Sequence, residues 1–440
     1  MAVTLPLVPI RNSETVRMSS YLHPGTNSAP IKKTILILNP HYLPGFKAGG
    51  PIQSIAGLVE KLKDEYDFKI ICGDRDWGDR QPYASEPMGC WYEYGAAKVL
   101  RVPPGLAGAR MMIRALRQEN YDVLHINGFL ARIYSMLPLA CRRMGLLPPR
   151  PVMLAPRGEF SRGSLSLKHK KKLVYIKLST WLGFYRGIIW HASTNLEEAD
   201  IRRSMGNIPT VDSASFLSGS SKAYGGGMRG AIAIAKDMHK IPERDAAIKM
   251  RKRSGQLRAV FVSRISPEKN LLFALRVIQG LTGEVTFDIY GPIGNIQYWN
   301  KCKTAIAALP ANVRVQYMGM IEHERVGEVF AQHDLFLLPS LGENYSHVTC
   351  EALSAGCPVL ISDRTPWRNL QEKGVGWDVP LEDEGRFRAI LQQCVDADGE
   401  WYAGLEARAA EFGNLAASDP SIFEENLKIF RHAASTSPQA

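Results

Sequence analysis

Residues 339–367 form the segment richest in groups able to do chemistry. The segment reads PSLGENYSHVTCEALSAGCPVLISDRTPW: a loop with Glu343, then a helical stretch that begins near Ser346 or His347. The free N–H groups and positive dipole end of such a helix start favour an anion. Glu343 and Glu351 flank that start, and carboxylates suit a polyhydroxyl ligand because they accept hydrogen bonds from hydroxyl groups. Alternatively, both are ordinary surface glutamates around a capped helix.

Two further segments carry groups that suit phosphate binding. Arg264 and Lys269 lie in SRISPEKN, which connects a buried-type strand to a helix. A guanidinium offers phosphate a fork of donors, and an ammonium offers a point charge. Gly49 and Gly50 follow the first predicted strand, and adjacent glycines let the backbone approach a ligand closely. Taken alone, the first segment also fits surface charges on a loop, and the second fits a plain turn.

Short apolar runs alternate along the chain with stretches of helical periodicity. The strands and helices that these predict must position the segments described above. Such alternation predicts parallel sheets covered on both faces. The pattern weakens where glycines and charges cluster between the two halves of the chain. In the first half, strands are predicted at 35–38, 68–72, 99–102, 123–126 and 152–155, with a helix at 52–62. In the second half, strands are predicted at 259–263, 285–290, 313–317, 335–339 and 359–362, with helices at 271–279, 347–355 and 421–432.

The alternation predicts an α/β chain with two Rossmann-like domains that face each other across a cleft. Ligands bind such sheets beyond the carboxyl ends of the strands, so the site is expected in that cleft. The predicted organisation is a flexible leader (1–30), an N-terminal domain (31–217), an interdomain linker with an insertion (218–255), a C-terminal domain (256–415), and a C-terminal helix and tail (416–440).

The composition is that of a globular protein. Of 440 residues, 45% are hydrophobic and 22% are charged, which excludes a wholly disordered or collagenous chain. No run approaches the ~20 apolar residues of a membrane span, and we expect no signal peptide. The seven cysteines are scattered without CxxC spacing. We therefore expect neither a disulfide framework nor a zinc site, and a reducing cytoplasm fits best.

The excess of positive over negative charge lies in the first half of the chain. Residues 31–217 carry 27 Lys and Arg against 16 Asp and Glu, a net +11, whereas residues 218–440 carry 25 against 26. This asymmetry favours an anionic partner, such as a membrane surface, although a solubility bias would look the same. Residues 165–186 combine lysines with aromatic and apolar residues, a pattern typical of a helix on anionic lipid. A core-packed helix with a solvated basic face is the alternative. Nucleic acid is not predicted, because no motif for it is present.

In their order along the chain, these segments resemble a retaining glycosyltransferase of the GT-B fold, in the large family-four group (glycosyl transferases group 1). That group shows a glycine pair after the first strand and a strand that ends in G/S-R with a lysine five residues later. It also shows two glutamates separated by seven residues before a G-x-P-V strand. Here these features are Gly49 with Gly50, Arg264 with Lys269, Glu343 with Glu351, and GCPV at 356–359, and the resemblance covers residues 33–415.

The resemblance implies that the N-terminal domain binds the acceptor and the C-terminal domain binds a nucleotide-diphosphate sugar. It implies that Arg264 and Lys269 bind the diphosphate and, with Glu343, form the catalytic set. Glu343 would contact the donor sugar, and Glu351 would hold the ribose hydroxyls. The other donor-binding residues implied are Gly49, Gly50, Gly291, Asn344, Tyr345, Ser346, His347 and Val348.

One departure from the family concerns a His-x-His motif whose second histidine contacts the donor sugar. Here the residues are His125-Ile126-Asn127, so Asn127 stands at the sugar-facing position, and His125 is either a site residue or a core residue. Arg157 and Glu159 resemble a subgroup that acts on exopolysaccharide or lipopolysaccharide precursors. They are candidates for acceptor binding, with a buried ion pair as the alternative. Asp74 is a further candidate for acceptor hydroxyls.

The sequence thus predicts a retaining, metal-independent hexosyltransferase of bacterial-type cell-surface glycan synthesis. The sugar would pass from a nucleotide-diphosphate sugar to a lipid-linked or polysaccharide acceptor. No cofactor and no metal are expected, because the cations and the helix start would stabilise the leaving diphosphate. We expect a cytoplasmic protein, with attachment to the inner face of the membrane as a further expectation. The alternatives are a GT-B nucleotide-sugar epimerase or phosphorylase, and a non-catalytic nucleotide-sugar-binding protein.

Overall fold

Two largely parallel sheets organise this chain in the computed structural model. The structure describes residues 32–166, 169–210, 230–238 and 252–435. The predicted leader and most of the predicted linker lie outside these described residues. From Lys33 onward the described residues form one compact unit that contains both sheets.

The first sheet has eight strands. They are β1 (Lys33–Leu38), β2 (Tyr66–Gly73), β3 (Trp91–Tyr94), β4 (Ala97–Val102), β5 (Val123–Asn127), β6 (Val152–Ala155), β7 (Ile188–Ala192) and β8 (Ala231–Ile234). Their order is β3-β4-β2-β1-β5-β6-β7-β8, and only the edge strand β3 runs antiparallel to its neighbour. The inner strands read as unbroken apolar runs because helices cover both faces.

Six described helices follow these strands. They are α1 (Gly50–Leu62), α2 (Leu106–Gln118), α3 (Leu137–Arg143), α4 (Arg162–Ser166), α5 (His169–Trp181) and α6 (Asn195–Met205). Helices α2, α3, α5 and α6 pack into one apolar core, whereas α1 packs into a separate core with other strand residues.

The second sheet has six strands, all parallel. They are β9 (Gln256–Val262), β10 (Glu284–Tyr290), β11 (Val313–Gly319), β12 (Leu335–Leu338), β13 (Val359–Ser362) and β14 (Gly376–Val379), in the order β11-β10-β9-β12-β13-β14. The helices are α7 (Leu271–Ile278), α8 (Ile296–Ala307), α9 (Val326–Gln332), α10 (His347–Ser354), α11 (Glu384–Asp396), α12 (Gly399–Ala417) and α13 (Pro420–Ser435). None of the helices in the described ranges is long and apolar enough to span a bilayer.

The strand order reverses at β1 in the first sheet and at β9 in the second. In sheets of this kind, the crevice at the carboxyl ends of such strands binds ligands. The predicted α/β class with two parallel sheets is confirmed. Every predicted strand is present within three residues of its expected ends. Four strands were not predicted: β3, β7, β8 and β14. Strand β8 falls inside the predicted linker and pairs with β7.

Helix α13 follows the second sheet but packs against the first. Its residues Ile422, Leu427 and Phe430 share an apolar core with Ile55 of α1. The ring of Phe430 lies 5.3 Å from that of His125 and 6.0 Å from that of Tyr66. The C-terminal helix expected from the sequence therefore crosses back and completes the packing of the first sheet.

We expect Phe430→Ala to destabilise the protein strongly, because the ring is fully buried in this core. Removal of a buried Phe ring typically costs ~3–5 kcal/mol in the free energy of unfolding. Leu415→Ala on α12 is the matched control, because Leu415 is 63% exposed and should change the free energy by less than ~0.5 kcal/mol. Urea titration of both variants measures the difference, and equal midpoints would contradict the crossing helix.

Candidate active site

A cleft of about 390 Å³ lies where loops from the carboxyl ends of β1, β9 and β12 meet. It brings together every residue of the predicted donor site, namely Gly49, Gly50, Arg264, Lys269, Gly291, Glu343, Asn344, Tyr345, Ser346, His347, Val348 and Glu351. Two acceptor candidates, Arg157 and Glu159, also line it. Residues distant in sequence and drawn from both sheets thus share one concave site.

Two helix starts face each other in this cleft. Gly49 precedes α1 at φ 71° and Ser346 precedes α10 at φ 64°, and neither start has a side-chain cap. Only glycine adopts the first conformation without strain. A β-carbon on Gly50 would lie 3.5 Å from the His347 ring, so the two starts are close neighbours. Their N–H groups provide two positive dipole ends for an anion.

The cationic side of the cleft comes from the loop after β9. Lys269 Nζ donates to both carboxylate oxygens of Glu343, at 2.7 and 2.8 Å. The Arg264 guanidinium lies 4.9 Å from the centre of the Trp77 ring and donates to the carbonyl of Ala48 at 3.3 Å. Burial lowers the pKa of Arg264. Arg264 therefore spans the cleft from the second sheet to a loop of the first.

Gly291 shapes the floor beside this arginine. It has a φ of 134°, and a β-carbon there would lie 2.1 Å from the carbonyl oxygen of Ser263. Since the backbone could not shift without moving the turn after β9, the position requires glycine. The close approach of two strand ends holds the Arg264 loop in place.

Glu351 lies one helical turn inside α10 and is buried. Burial raises the pKa of its carboxyl group to about 8. The Nδ1 atom of His323 lies 3.7 Å from its Oε1 atom. At neutral pH this group therefore retains a proton and can both donate and accept hydrogen bonds.

A buried polar network closes the inner end of the cleft. Ser54 Oγ lies 2.9 Å from Asp237 Oδ2 and 2.9 Å from His347 Nε2. The Arg157 guanidinium pairs with the other oxygen of Asp237. Burial opposes ionisation of Asp237, but Arg157 and His347 outweigh it and hold its pKa well below the usual range. The network joins α1, the segment after β8 and the start of α10.

Asp237 and Ser54 are site residues that the sequence patterns do not predict. Asp237 lies in the segment predicted to be a linker, and Ser54 is an ordinary serine of an amphipathic helix. The only signal for Asp237 is its place just after the apolar run AIAIA, where a strand end would be expected.

The strand-end residues Arg157 and Glu159 hold the wall of the cleft. Arg157 adopts φ 55° and donates from Nε to Asn127 Oδ1 at 3.0 Å. Glu159 Oε2 accepts hydrogen bonds from the backbone N–H groups of Phe129 and Leu130, and burial raises its pKa. Asn127 is fully buried and is not among the residues that line the cleft. Its hydrogen bond with Arg157 connects it to the site.

The remaining acceptor candidates lie away from the cleft lining. His125 is fully buried, with its ring 5.6 Å from that of His191, and burial holds its pKa well below the usual value. The alternative interpretation of His125 as a core residue matches this placement. Asp74 is buried and pairs with Arg75 at 2.7 Å. Within the described ranges, no three His, Cys, Asp or Glu side chains group as metal ligands would.

The raised pKa of Glu351 predicts a pH-dependent stability. Between about pH 5 and pH 8 the folded state binds more protons at this site than the unfolded chain, so stability falls as pH rises, by up to ~1.4 kcal/mol per pH unit. Glu351→Gln removes this titration and should become more stable relative to the parent as pH rises. Urea titrations at both ends of the range measure the difference, with exposed Glu322→Gln as control. A constant difference between parent and Glu351→Gln would contradict the burial of a titrating carboxyl.

The network predicts a large cost for Asp237→Asn, since that variant leaves the buried Arg157 guanidinium without its counter-ion. Breaking a buried ion pair costs ~3–5 kcal/mol. Asp79→Asn removes the same charge from an exposed pair with Lys47, where the carboxylate is 41% exposed, and should cost less than ~1 kcal/mol. Denaturant unfolding compares the two, and similar losses would argue against a buried network.

Comparison with known families finds a match in the second half of the chain. Residues 243–394 match the family profile described as "Glycosyl transferases group 1". A curated relative, the amylovoran biosynthesis glycosyltransferase AmsK of Erwinia amylovora, is 29% identical over 154 residues. That match covers 33% of this chain and 37% of the relative, so the chain spans little more than a third of the relative's length.

Solved structures are similar along almost the whole chain. A sucrose-phosphate synthase from Thermosynechococcus elongatus has a TM-score of 0.68 at 15% identity and covers 92% of this chain and 100% of its own. HepE of Anabaena in complex with UDP-glucose has a TM-score of 0.61 at 14% identity, and the match covers 90% of this chain and 99% of HepE. WaaG, a glycosyltransferase involved in lipopolysaccharide biosynthesis, has a TM-score of 0.59 at 11% identity, and the match covers 90% of this chain and 99% of WaaG. At these identities the likeness shows the fold alone.

Proposed function

We propose that this chain, which has the GT-B fold and whose residues 243–394 belong to the group 1 glycosyltransferases, transfers a sugar from a nucleotide-diphosphate sugar with retention of configuration. The observation that carries the proposal is the convergence of Arg264, Lys269, the α10 start and Glu351 on one cleft. These groups match the parts of such a donor: cations and N–H groups for the diphosphate, and a carboxyl for the ribose.

The donor would lie along the second sheet. Its diphosphate would contact Arg264, Lys269 and the start of α10, and its ribose hydroxyls would bond to Glu351. Glu343 would contact the sugar. Because Lys269 pairs with Glu343, a donor phosphate would share this ammonium with the carboxylate. The ion pair therefore pre-orients both groups before the donor arrives.

The bond between the sugar C1 and the diphosphate oxygen breaks in the reaction, and the leaving group keeps the electron pair. The acceptor hydroxyl oxygen bonds to C1 on the same face, and its proton passes to the diphosphate. Negative charge develops on the leaving group, where two cations and a helix dipole stabilise it. We propose that no metal and no cofactor take part, because these residues already supply the positive charge.

The acceptor would be a lipid-linked or growing polysaccharide of the cell surface. Arg157 and Glu159 lie on the wall of the cleft formed by the first sheet, opposite the donor groups. The involvement of WaaG in lipopolysaccharide biosynthesis and of the Erwinia relative in amylovoran biosynthesis supports this class of acceptor. A lipid-linked acceptor would also place the protein at the inner face of the membrane.

A thermal-shift panel of UDP-, GDP-, ADP- and dTDP-sugars tests the donor site. One of the nucleotides should stabilise the protein by about 2.7 kcal/mol at 100 times its dissociation constant. Arg264→Ala should lose the shift, whereas Arg276→Ala, at an exposed arginine of helix α7, should keep it. EDTA should leave the shift unchanged.

A measurement of turnover distinguishes a transferase from an epimerase and from a non-catalytic binding protein. With the matching donor and a lipid-linked acceptor, the product should keep the anomeric configuration of the donor, as measured by NMR. Glu343→Gln should lower kcat at least 100-fold. Epimerised donor in the absence of acceptor would indicate an epimerase, and a donor shift without turnover would indicate a binding protein. No shift with any nucleotide would contradict the proposal.

A further inference from the structure

One outer face of the first sheet combines exposed apolar side chains with a dense positive charge. Helices α2, α3 and α5 bury Met112, Leu139 and Ile176, respectively, in the same core. Because their inner sides meet there, their outer sides lie on one side of the sheet. We name this outer surface the α2–α3–α5 face.

The apolar side chains on this face are unusually exposed. On α5, Val174, Leu178 and Trp181 are 64%, 52% and 77% exposed, and their spacing of four and three residues places them on one stripe. Met144 and Leu146, just after α3, are 62% and 51% exposed. Helix α5 is therefore apolar on its outer as well as its inner side. Contiguous exposed apolar surface of this kind marks an interaction site.

Positive charge surrounds the stripe. Residues 106–186 carry 15 Lys and Arg against 3 Asp and Glu, a net +12. Each of the three acidic groups is engaged elsewhere: Glu119 pairs with Lys69 at 2.7 Å, Asp122 accepts from the Thr34 N–H at 2.8 Å, and Glu159 caps the Phe129 and Leu130 N–H groups. On the face itself, Lys170, Lys171 and Lys177 are exposed, and no described carboxylate pairs with them.

The face is continuous between the helices. Arg143 Nε donates to the Leu182 carbonyl at 3.1 Å and Arg142 donates to the Arg186 carbonyl at 2.9 Å, which joins α3 to the end of α5. A groove between α2 and the start of α3 is lined by Arg110, Arg114 and Arg117 together with Leu106, Ile113 and Leu137. Cations and apolar side chains therefore lie side by side in this groove, as they do on α5.

We propose that the α2–α3–α5 face docks this protein onto an anionic lipid bilayer. Val174, Leu178 and Trp181 enter the interfacial region, and the surrounding lysines and arginines bind lipid phosphates. A bilayer offers both chemistries at once, an apolar interior beneath a negative surface. A second copy fits poorly, because a two-fold contact would set the same cations against each other. The proposal deepens the proposed function and rests on it in one respect: a lipid-linked acceptor is the reason for the protein to bind a membrane.

Vesicle co-sedimentation of the full chain tests the docking face. Vesicles of phosphatidylcholine with phosphatidylglycerol should bind the protein, and vesicles of phosphatidylcholine alone should not. The triple variant Lys170→Ala, Lys171→Ala, Lys177→Ala should lower the partition coefficient roughly 100-fold, from ~1 kcal/mol per cation. The double variant Lys301→Ala, Lys303→Ala removes exposed charges of helix α8, which lies outside the α2–α3–α5 face, and should bind like the parent.

The apolar stripe has its own test. A triple variant should lower binding to the anionic vesicles at least tenfold; it combines Val174→Ser, Leu178→Ser and Trp181→Ser. Leu415→Ser, at an exposed leucine of α12, should leave that binding unchanged. Equal binding to neutral and anionic vesicles, or no binding to either, would overturn the proposal. So would a dimer in light scattering that the stripe variant dissociates. The nucleotide-sugar thermal shift of each variant should equal that of the parent, so a failure of docking is distinguishable from a failure of the donor site.

Discussion

The buried carboxylate of Asp237 is the constraint on which the cleft depends. It is the point where α1, the segment after β8 and α10 meet, through Ser54, Arg157 and His347. A buried charge is tolerated only when its partners stay in place, so these elements are fixed relative to one another. Both helix starts, and with them the two dipole ends that face the cleft, are aligned by this one group.

The sequence allowed much of this site to be predicted because its motifs are local. Arg264 and Lys269 lie on one connection between a strand and a helix, and Glu343 and Glu351 lie on one loop and the helix that follows it. The spacing of these residues along the sequence is therefore enough to predict that they belong together. The segment that contains these residues, 243–394, matches the profile of the group 1 glycosyltransferases. The network could not be predicted, since Ser54 meets Asp237 across 183 positions and His347 across 293. No local pattern encodes contacts of that length.

Two of the missed strands, β3 and β14, lack the sequence pattern of a central strand. Strand β3, WYEY, is a half-exposed edge strand, and β14 begins at Gly376, where the chain adopts φ 149° against the Val359 carbonyl. Neither shows the apolar run that marks a central strand. The sequence could not decide whether His125 is a site residue or a core residue. Its surroundings include Phe430, which lies in a helix that follows the second sheet.

The crossing of α13 has a consequence for the order in which the protein assembles on the ribosome. The chain leaves the ribosome from its N-terminus, so the strands of the first sheet emerge long before residue 420. On one apolar side of that sheet, the part around Tyr66 that α13 covers stays exposed beside α1 until α13 arrives. The half of the protein that is synthesised first is therefore the half that is finished last, and nascent chains must protect this surface throughout translation.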